Sequence, residues 1–142
     1  MRNIINISEA FSLALHTMAC LASEPKQRRG THEVALQLGV SEAHLAKVMR
    51  RLGRAGLVSS RRGPGGGFKL ARPAATIRLM DVYKAVEGGW TSPGCLLGQP
   101  ACEGECLMGG LLQELDRLAK EYLEDFTLDR AAPSFEKGAM YG

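Results

Sequence analysis

Residues 41–70 constrain the fold more tightly than any other part of this sequence. Ser41 stands where a helix N-cap is expected. The residues after it repeat at the i, i+3, i+4, i+7 spacing of one apolar helix face: Leu45, Val48, Met49 and Leu52. Residues 57–60 (LVSS) and 68–70 (FKL) flank the turn RRGPGGG. This pattern predicts a helix followed at once by a two-stranded hairpin.

A shorter helix is predicted just before this segment. Thr31 can cap it, Gly39 ends it, and its apolar face consists of Val34, Ala35 and Leu38. Gly53 or Gly56 ends the longer helix. Two helices joined by a tight glycine-containing turn form a helix-turn-helix, and the hairpin after it makes the segment a winged helix.

The first helix is expected to begin after Ser8. One apolar face is predicted from helical spacing: Phe11, Ala14, Leu15, Met18, Leu21 and Ala22. At 100° per residue the opposite face holds Glu9, Leu13, His16 and Cys20. Because this second face is not purely polar, we expect it to meet another element or another subunit.

The second half of the chain has a different pattern. A brief helix over residues 79–87 is predicted to close at Gly88-Gly89, and residues 90–106 form a loop. A long helix follows from Leu107, with apolar residues at coiled-coil spacing: Leu111, Leu115, Leu118 and Tyr122. This seam predicts a dimer interface, with packing on the helix's own domain as the alternative.

The expected fold class is therefore mainly α with a small β wing, a winged helix-turn-helix plus a long C-terminal dimerisation helix. The predicted regions are a DNA-binding domain at 1–75, a sensor loop and dimerisation helix at 76–130, and a flexible tail at 131–142.

Charge is distributed unevenly between the two halves. Residues 1–75 hold 12 Lys and Arg against 4 Asp and Glu, whereas residues 76–142 hold 6 against 11. A basic half joined to an acidic half indicates a polyanionic partner for the first and a different role for the second.

The longer helix of the pair presents a stripe suited to double-stranded DNA. Ala43, Lys47, Arg50 and Arg54 point away from its apolar face. His44 and Lys47 are candidates for base contact, and small Ala43 could touch a thymine methyl. The phosphate backbone is assigned to Arg50, Arg51 and Arg54.

The predicted hairpin turn adds a second DNA contact. Arg61 and Arg62 precede Gly63 in RRGPGGG, a backbone that can turn sharply and approach DNA without Cβ clashes. Arginines on such a tip can enter a narrow minor groove. A phosphate-binding loop is not expected, because no Gly-Lys-Ser/Thr follows and the turn leads into a strand.

Three of the four cysteines, Cys95, Cys102 and Cys106, cluster on a glycine-rich loop. The sequence shows neither a secretion signal nor an apolar stretch long enough for a membrane span, which predicts a cytoplasmic protein with no membrane partner. In that compartment, clustered cysteines usually indicate metal or redox chemistry. No nucleophile elbow, pair of catalytic carboxylates or metal-binding histidine pair is present, so no enzymatic activity is expected.

The segments LVSSRRGPGGGF, HLAKVMRRLGRAG and DVYKAVEG resemble the IscR/NsrR family of winged-helix regulators, within the Rrf2 superfamily. The resemblance covers roughly residues 8–130. It implies a homodimer bound to operator DNA, with Arg62 as the minor-groove arginine and Ser41 and His44 where members touch DNA. Ala46 replaces a glutamate that selects between DNA motifs in some members, so it departs from the family pattern.

The resemblance also implies an iron–sulfur cluster, [2Fe-2S] or [4Fe-4S], on the three loop cysteines. Gly109 replaces a histidine ligand of some members, and others recruit the fourth ligand from the partner subunit's N-terminal region. Glu9 and His16, ahead of Cys20, are the candidates here. The residues themselves also allow a zinc site, a thiol–disulfide switch or inert cysteines.

The resulting hypothesis is a transcription regulator, in its simplest form a repressor, that senses redox state, nitric oxide or iron–sulfur status. The alternative is a winged-helix regulator without a cluster that responds to a thiol switch, zinc or a small molecule. An iron–sulfur carrier or small metalloenzyme is a third possibility, from another class of protein.

Overall fold

The computed structural model describes residues 7–92, 94–95 and 102–135. Its helices and strands in chain order are α1 (Glu9–Ser23), α2 (Thr31–Leu38), α3 (Glu42–Arg54), β1 (Val58–Arg61), β2 (Gly67–Leu70), α4 (Leu79–Glu87) and α5 (Gly109–Asp125). Short 3-10 helices span Ala74–Thr76, Leu128–Arg130 and Ala132–Phe135. The predicted fold class, mainly helical with a small β wing, is confirmed.

The ends of α1, α2 and α3 follow from local hydrogen bonds. Ser8 Oγ accepts the Phe11 N–H at 3.0 Å and begins α1, and Ser41 Oγ accepts the His44 N–H at 3.2 Å and begins α3. Gly39 ends α2 in the left-handed region, at φ +67°. These contacts set the tight turn between α2 and α3 that the sequence predicted.

Some boundaries differ from the sequence prediction. Gly30, not Thr31, is the N-cap of α2, and Thr31 is its first helical residue. Of the two glycines considered for the end of α3, Gly53 lies within the helix and Gly56, at φ +74°, follows it. Each difference is one or two residues, the usual uncertainty at helix ends.

The apolar face predicted for α3 is buried in the core, with every member at most 2% exposed: Leu45, Val48, Met49 and Leu52. It packs against α1 and α4. Phe11 of α1 meets Tyr83 of α4 edge to face, with ring centroids 5.1 Å apart. Helix α3 is therefore held from behind by two other helices, which leaves its outer face to solvent.

The predicted boundary between residues 75 and 76 does not divide the core. Ile77, Val82 and Leu128 are each 0% exposed and belong to the same apolar cluster as α1 and α3. The Leu128 N–H donates to the Ile77 carbonyl at 2.8 Å, which brings the segment after α5 back to the winged helix. Sequence spacing could not show this return because the two residues are far apart in the chain.

Part of the predicted flexible tail is packed. Residues 131–135 lie in or beside a 3-10 helix, and Ala131 and Ala132 pack against the core. This 3-10 helix contacts α1. The rest of the tail, residues 136–142, lies outside the described residues.

The second face predicted for α1 is also largely buried. Leu13 is 7% exposed and Cys20 is 0% exposed, whereas Glu9 and His16 are exposed. Leu13 and Cys20 therefore meet other elements, as expected for this face, because α1 is surrounded by α2, α3, α4, β2 and the C-terminal 3-10 helices.

Candidate DNA-binding surface and cysteine cavity

The outward face of α3 carries the predicted DNA-binding stripe. Its four residues are all exposed: Ala43, Lys47, Arg50 and Arg54. They follow one another at steps of four, three and four residues, which keeps them on one side of the helix. Since Leu45, Val48, Met49 and Leu52 anchor the opposite side, this stripe is presented on a rigid support.

Two residues at the start of α3 also have structural contacts. Ser41 is exposed and its hydroxyl is engaged in the N-cap of α3. His44 is half-buried and lines a groove of about 450 Å³ with residues of α1 and of the turn before α3. His44 therefore sits deeper than the stripe of Ala43, Lys47, Arg50 and Arg54.

Arg51 differs from its neighbours Arg50 and Arg54. Its guanidinium Nη1 donates to the carbonyl oxygen of Val86 at 3.2 Å, at the C-terminal end of α4. A cation at a helix C-terminus satisfies a carbonyl that lacks a helical partner. Arg51, predicted as a phosphate contact, thus connects α3 to α4.

The wing is an antiparallel pair of β1 and β2 whose register joins Val58 to Leu70 and Arg61 to Gly67. The predicted residues are all exposed: Arg61 at the end of β1, and Arg62 and Gly63 in the turn. Gly63 has φ +89°, a conformation that side-chain-bearing residues rarely adopt. The turn therefore needs glycine there, and it places Arg62 beyond the end of the strand pair.

The three loop cysteines line one cavity of about 280 Å³ at the N-terminal end of α5. Cys95 is half-buried, and Cys102 and Cys106 are exposed. Gly109 lies against this site, because a Cβ built on it would be 3.2 Å from the Cys106 Cβ and 3.8 Å from its Sγ. Each of the four cysteines is described, and none forms a disulfide with another.

The cavity does not hold a preformed single-ion site. Within the described residues, no three or more His, Cys, Asp or Glu side chains converge closely enough to bind one metal ion. The loop between Cys95 and Cys102 lies outside those residues, so Leu96 to Ala101 add nothing to this description.

The candidate fourth ligands lie at a different place in the subunit. Glu9 and His16 line the groove between α1 and α3, together with Ser41 and His44. The His16 Nδ1 lies 2.7 Å from the Ser12 carbonyl oxygen. Neither Glu9 nor His16 lines the cysteine cavity of its own chain.

Cys20, the third candidate, is unsuited to ligation. Its side chain is 0% exposed, and burial raises the pKa of the thiol although Arg29 beside it acts in the opposite direction. Metals bind the thiolate, so a buried thiol that stays protonated is a structural residue. The structure thus assigns Cys20 to the core.

Sequence reasoning missed a clamp between the cysteine loop and α5. Asp116 accepts the Trp90 Nε1–H at 2.9 Å with one carboxylate oxygen and the Ser92 hydroxyl at 2.8 Å with the other. Trp90 in turn packs on Tyr83 of α4, with ring centroids 5.0 Å apart. The partners are 24 and 26 residues apart in sequence, so no local pattern signalled the contact.

One protein family matches most of the chain. Residues 7–133 match the Rrf2 family, described as an iron-dependent transcriptional regulator. The chain belongs to the Rrf2 family. It is a DNA-binding transcription regulator with a winged helix.

Individual Rrf2 relatives support this assignment. The chain is 34% identical to the HTH-type transcriptional regulator IscR of Klebsiella pneumoniae (strain 342) over 98 residues, which cover 68% of this chain and 60% of IscR. It is 36% identical to the protein aau3 of Rhizobium meliloti (strain 1021) over 115 residues, 79% of this chain and 74% of aau3.

Among solved structures, the fold is similar to CymR (YrzC), the global cysteine regulator of B. subtilis. The TM-score is 0.77 at 27% identity, and the match covers 91% of this chain and 97% of CymR. Both proteins are named as regulators, IscR as an HTH-type transcriptional regulator and CymR as the global cysteine regulator. Over the part of the chain that the structure describes, no helix is long and apolar enough to cross a membrane.

Proposed function

We propose that this Rrf2 regulator acts as a homodimer whose cysteine cavity senses redox state, nitric oxide or iron–sulfur status. A change at the cavity alters the affinity of the dimer for operator DNA, and the simplest form of such a regulator is a repressor. The observation that carries the proposal is the common cavity of Cys95, Cys102 and Cys106. It lies at the start of the helix that bears the exposed apolar seam.

The spacing of the three thiols is more compatible with a [4Fe-4S] cluster than with one zinc ion. Zinc–sulfur bonds are about 2.3 Å long, so the sulfurs of one zinc site lie within about 4 Å of one another. The three thiols surround a cavity of about 280 Å³ without converging on such a point. In a [4Fe-4S] cluster each iron takes one cysteine thiolate, so the sulfurs are spaced more widely, whereas in a [2Fe-2S] cluster two thiolates share an iron.

Bound there, a cluster would supply a centre that reacts with oxidants and nitric oxide. The chain's own residues connect the cavity to the DNA-binding half. Asp116 of α5 holds Ser92 and Trp90, just before Cys95, and Trp90 packs on α4. Arg51 of α3 donates to the carbonyl of Val86, near the end of α4. A change at the loop could therefore shift α3 through α4, provided the two states bind DNA differently.

The homodimer is proposed from the apolar surface of α5. Leu111, Leu118 and Tyr122 are each at least 50% exposed, and they lie on one side of the helix. An exposed apolar stripe of this kind marks an interaction surface. In the dimer, α1 of one subunit would approach the cavity of the other, which would allow the partner's Glu9 or His16 to serve as fourth ligand.

The proposed DNA contacts follow from exposure and charge. Lys47 and His44 are proposed to contact or approach bases, with Ala43 and Ser41 beside them. Arg50 and Arg54 are proposed to hold phosphates, and Arg61, Arg62 and Gly63 to place the wing tip in the minor groove. Arg51 is retained as a phosphate candidate only if it leaves the Val86 carbonyl.

A second candidate is a regulator without a cluster that uses the same cysteines as a thiol switch or zinc site, or that binds a small molecule. The exposure of both Cys102 and Cys106 favours a thiol switch, because accessible thiolates react most readily.

The test is the visible absorbance of anaerobically purified protein and of four cysteine variants. We expect a brown wild-type protein, and Cys95→Ala, Cys102→Ala and Cys106→Ala should each lose the visible bands while the protein stays folded, as shown by a cooperative thermal unfolding transition. Cys20→Ala is the matched control: it should retain the colour, because its thiol is buried in the core.

A colourless wild-type protein that unfolds normally would favour the second candidate, and zinc analysis and thiol titration would then distinguish its forms. The fourth ligand is tested with Glu9→Ala and His16→Ala. If neither changes the spectrum or the rate of its loss in air, the cross-subunit ligand is wrong and the three-cysteine site stands without it.

A further inference from the structure

The loop between α1 and α2 is bound to the base of the wing. Arg29 and Phe68 exchange two backbone hydrogen bonds, each 2.8 Å long, which add the loop to the outer edge of β2. Gly67 makes this approach possible: it has φ +125°, and a Cβ there would lie 2.7 Å from the Arg29 carbonyl oxygen. Any other residue at 67 would push the loop and the wing apart.

Arg28 bridges both strands of the wing. Its Nη1 donates to the carbonyl oxygen of Ser59 on β1 at 3.3 Å and to that of Gly67 on β2 at 3.2 Å. The side chain is half-buried rather than extended into solvent. Backbone carbonyls near a strand end need donors, and one guanidinium here serves one carbonyl from each strand.

The other end of this connection is anchored by Arg29. The residue is 9% exposed, with Nε donating to Glu33 Oε1 at 2.6 Å and Nη2 donating to Gln37 Oε1 at 2.7 Å. Its Nη1 lies 3.7 Å from the Cys20 sulfur. A buried arginine with its donors engaged fixes the loop to α1 and α2, so the wing base is tied to the helix-turn-helix.

We propose that Arg28 is a positioning residue for the wing, which sets the angle at which Arg62 reaches the minor groove, and is not itself a phosphate contact. The charged loop SEPKQRRG that contains Arg28 would otherwise be assigned to the DNA backbone. The proposal rests on the proposed minor-groove role of Arg62. It names Arg28 as a determinant of operator preference that acts through the wing.

The test is a double-mutant cycle of Arg28→Met with Arg62→Ala, measured by fluorescence anisotropy on an operator selected by the wild-type protein and on random duplex. Met keeps the aliphatic stem of Arg28 and removes its donors and charge. We expect Arg28→Met to weaken operator binding about tenfold in the wild-type protein. In a protein that already carries Arg62→Ala, the same substitution should weaken operator binding less than about twofold, because the effects of coupled residues do not add. The slope of the logarithm of the binding constant against the logarithm of the salt concentration (the salt slope) should stay unchanged.

The matched control is Lys26→Ala, which removes an exposed cation from the same loop. Its effect, if any, should be additive with Arg62→Ala. Amide hydrogen exchange of free Arg28→Met should be faster in residues 58–70 and unchanged in α3. If Arg28→Met does not fold, Arg28→Gln replaces it, because the shorter neutral amide cannot reach both carbonyls.

Additive losses with a salt slope lowered by about 0.9 would overturn the proposal and make Arg28 a phosphate contact. An Arg28 variant that binds both DNAs like wild type would also overturn it. If Arg62→Ala does not lower operator preference, the minor-groove role of Arg62 fails, which is a separate result from the outcome of the Arg28 cycle.

Discussion

The helices α3 and α5 carry similar apolar patterns and bury them very differently. All four apolar positions of α3 are at most 2% exposed, whereas the 17 residues of α5 include one buried side chain, Leu112 at 4%. Leu111, Leu118 and Tyr122 of α5 remain 50–57% exposed. The apolar face of α3 is thus covered within one chain, whereas α5 has an exposed apolar surface that the proposed dimer would cover.

The free energy that would be gained by burying the exposed apolar residues of α5 bears on whether two chains would associate. Burying a large apolar side chain contributes roughly 1.5–3 kcal/mol. Three such side chains on each of two subunits therefore offer enough free energy to offset much of the entropy lost on association. Substitutions of exposed apolar residues should therefore weaken the dimer, whereas substitutions of buried apolar residues should lower the stability of the subunit.

The largest effect is expected from Leu118→Glu. It places a charge on the exposed side of α5, so the dimer should dissociate while each subunit stays folded. The matched variant Leu112→Ala removes a buried side chain and should lower the free energy of unfolding by about 2–5 kcal/mol with the dimer retained. Sedimentation velocity and thermal unfolding separate the two results, and operator binding should be lost only with the dimer.

An intact Leu118→Glu dimer would contradict the assignment of this surface. Unfolding of the subunit by Leu118→Glu would show instead that α5 packs on its own domain in solution, the alternative that the seam pattern left open.

Smaller effects are expected from substitutions in the DNA-binding half. Substitutions in the wing and in α3 should differ in how they change the preference for operator over random DNA. Arg62→Ala should weaken binding to the operator about tenfold more than binding to random duplex, because minor-groove shape carries sequence information. Arg50→Ala should weaken both similarly and lower the salt slope by about 0.9 for the lost phosphate contact. Anisotropy titrations across a range of salt concentrations measure both quantities.

Equal losses on both DNAs would reduce Arg62 to a phosphate contact. An unchanged salt slope for Arg50→Ala would remove that residue from the interface, and Arg54→Ala would then test whether the stripe as a whole had been misassigned.

The winged helix could be predicted from sequence because its signals are local. Helical spacing and the Ser41 cap gave α3, and the glycine-rich turn gave the wing, each within a residue or two of the structure. Helix α4 was predicted at its observed bounds, Leu79–Glu87, because Gly88 and Gly89 end it. The spacing of apolar residues and the presence of turn-forming residues are sufficient to predict such elements.

The features that sequence could not give depend on distant residues. Angular position grouped the buried Cys20 with the exposed Glu9 and His16, because it does not show what surrounds a helix. The Asp116 clamp, the Arg51 contact with Val86 and the return of Leu128 to the core each join residues at least 24 positions apart. Charge pattern likewise could not show that Arg28 faces the wing rather than solvent.

In the proposed function, the cysteine cavity at the start of α5 controls the affinity of the winged helix for DNA. The most direct measurement is the operator affinity of wild-type protein, purified anaerobically and then exposed to air, compared with Cys95→Ala/Cys102→Ala/Cys106→Ala treated in the same way. We expect exposure to air to change the operator affinity of the wild-type protein at least tenfold and that of the triple variant less than about twofold, a shift within the usual range of coupling between sites. Equal affinities of the wild-type protein before and after exposure, or an equally large change in the triple variant, would contradict it.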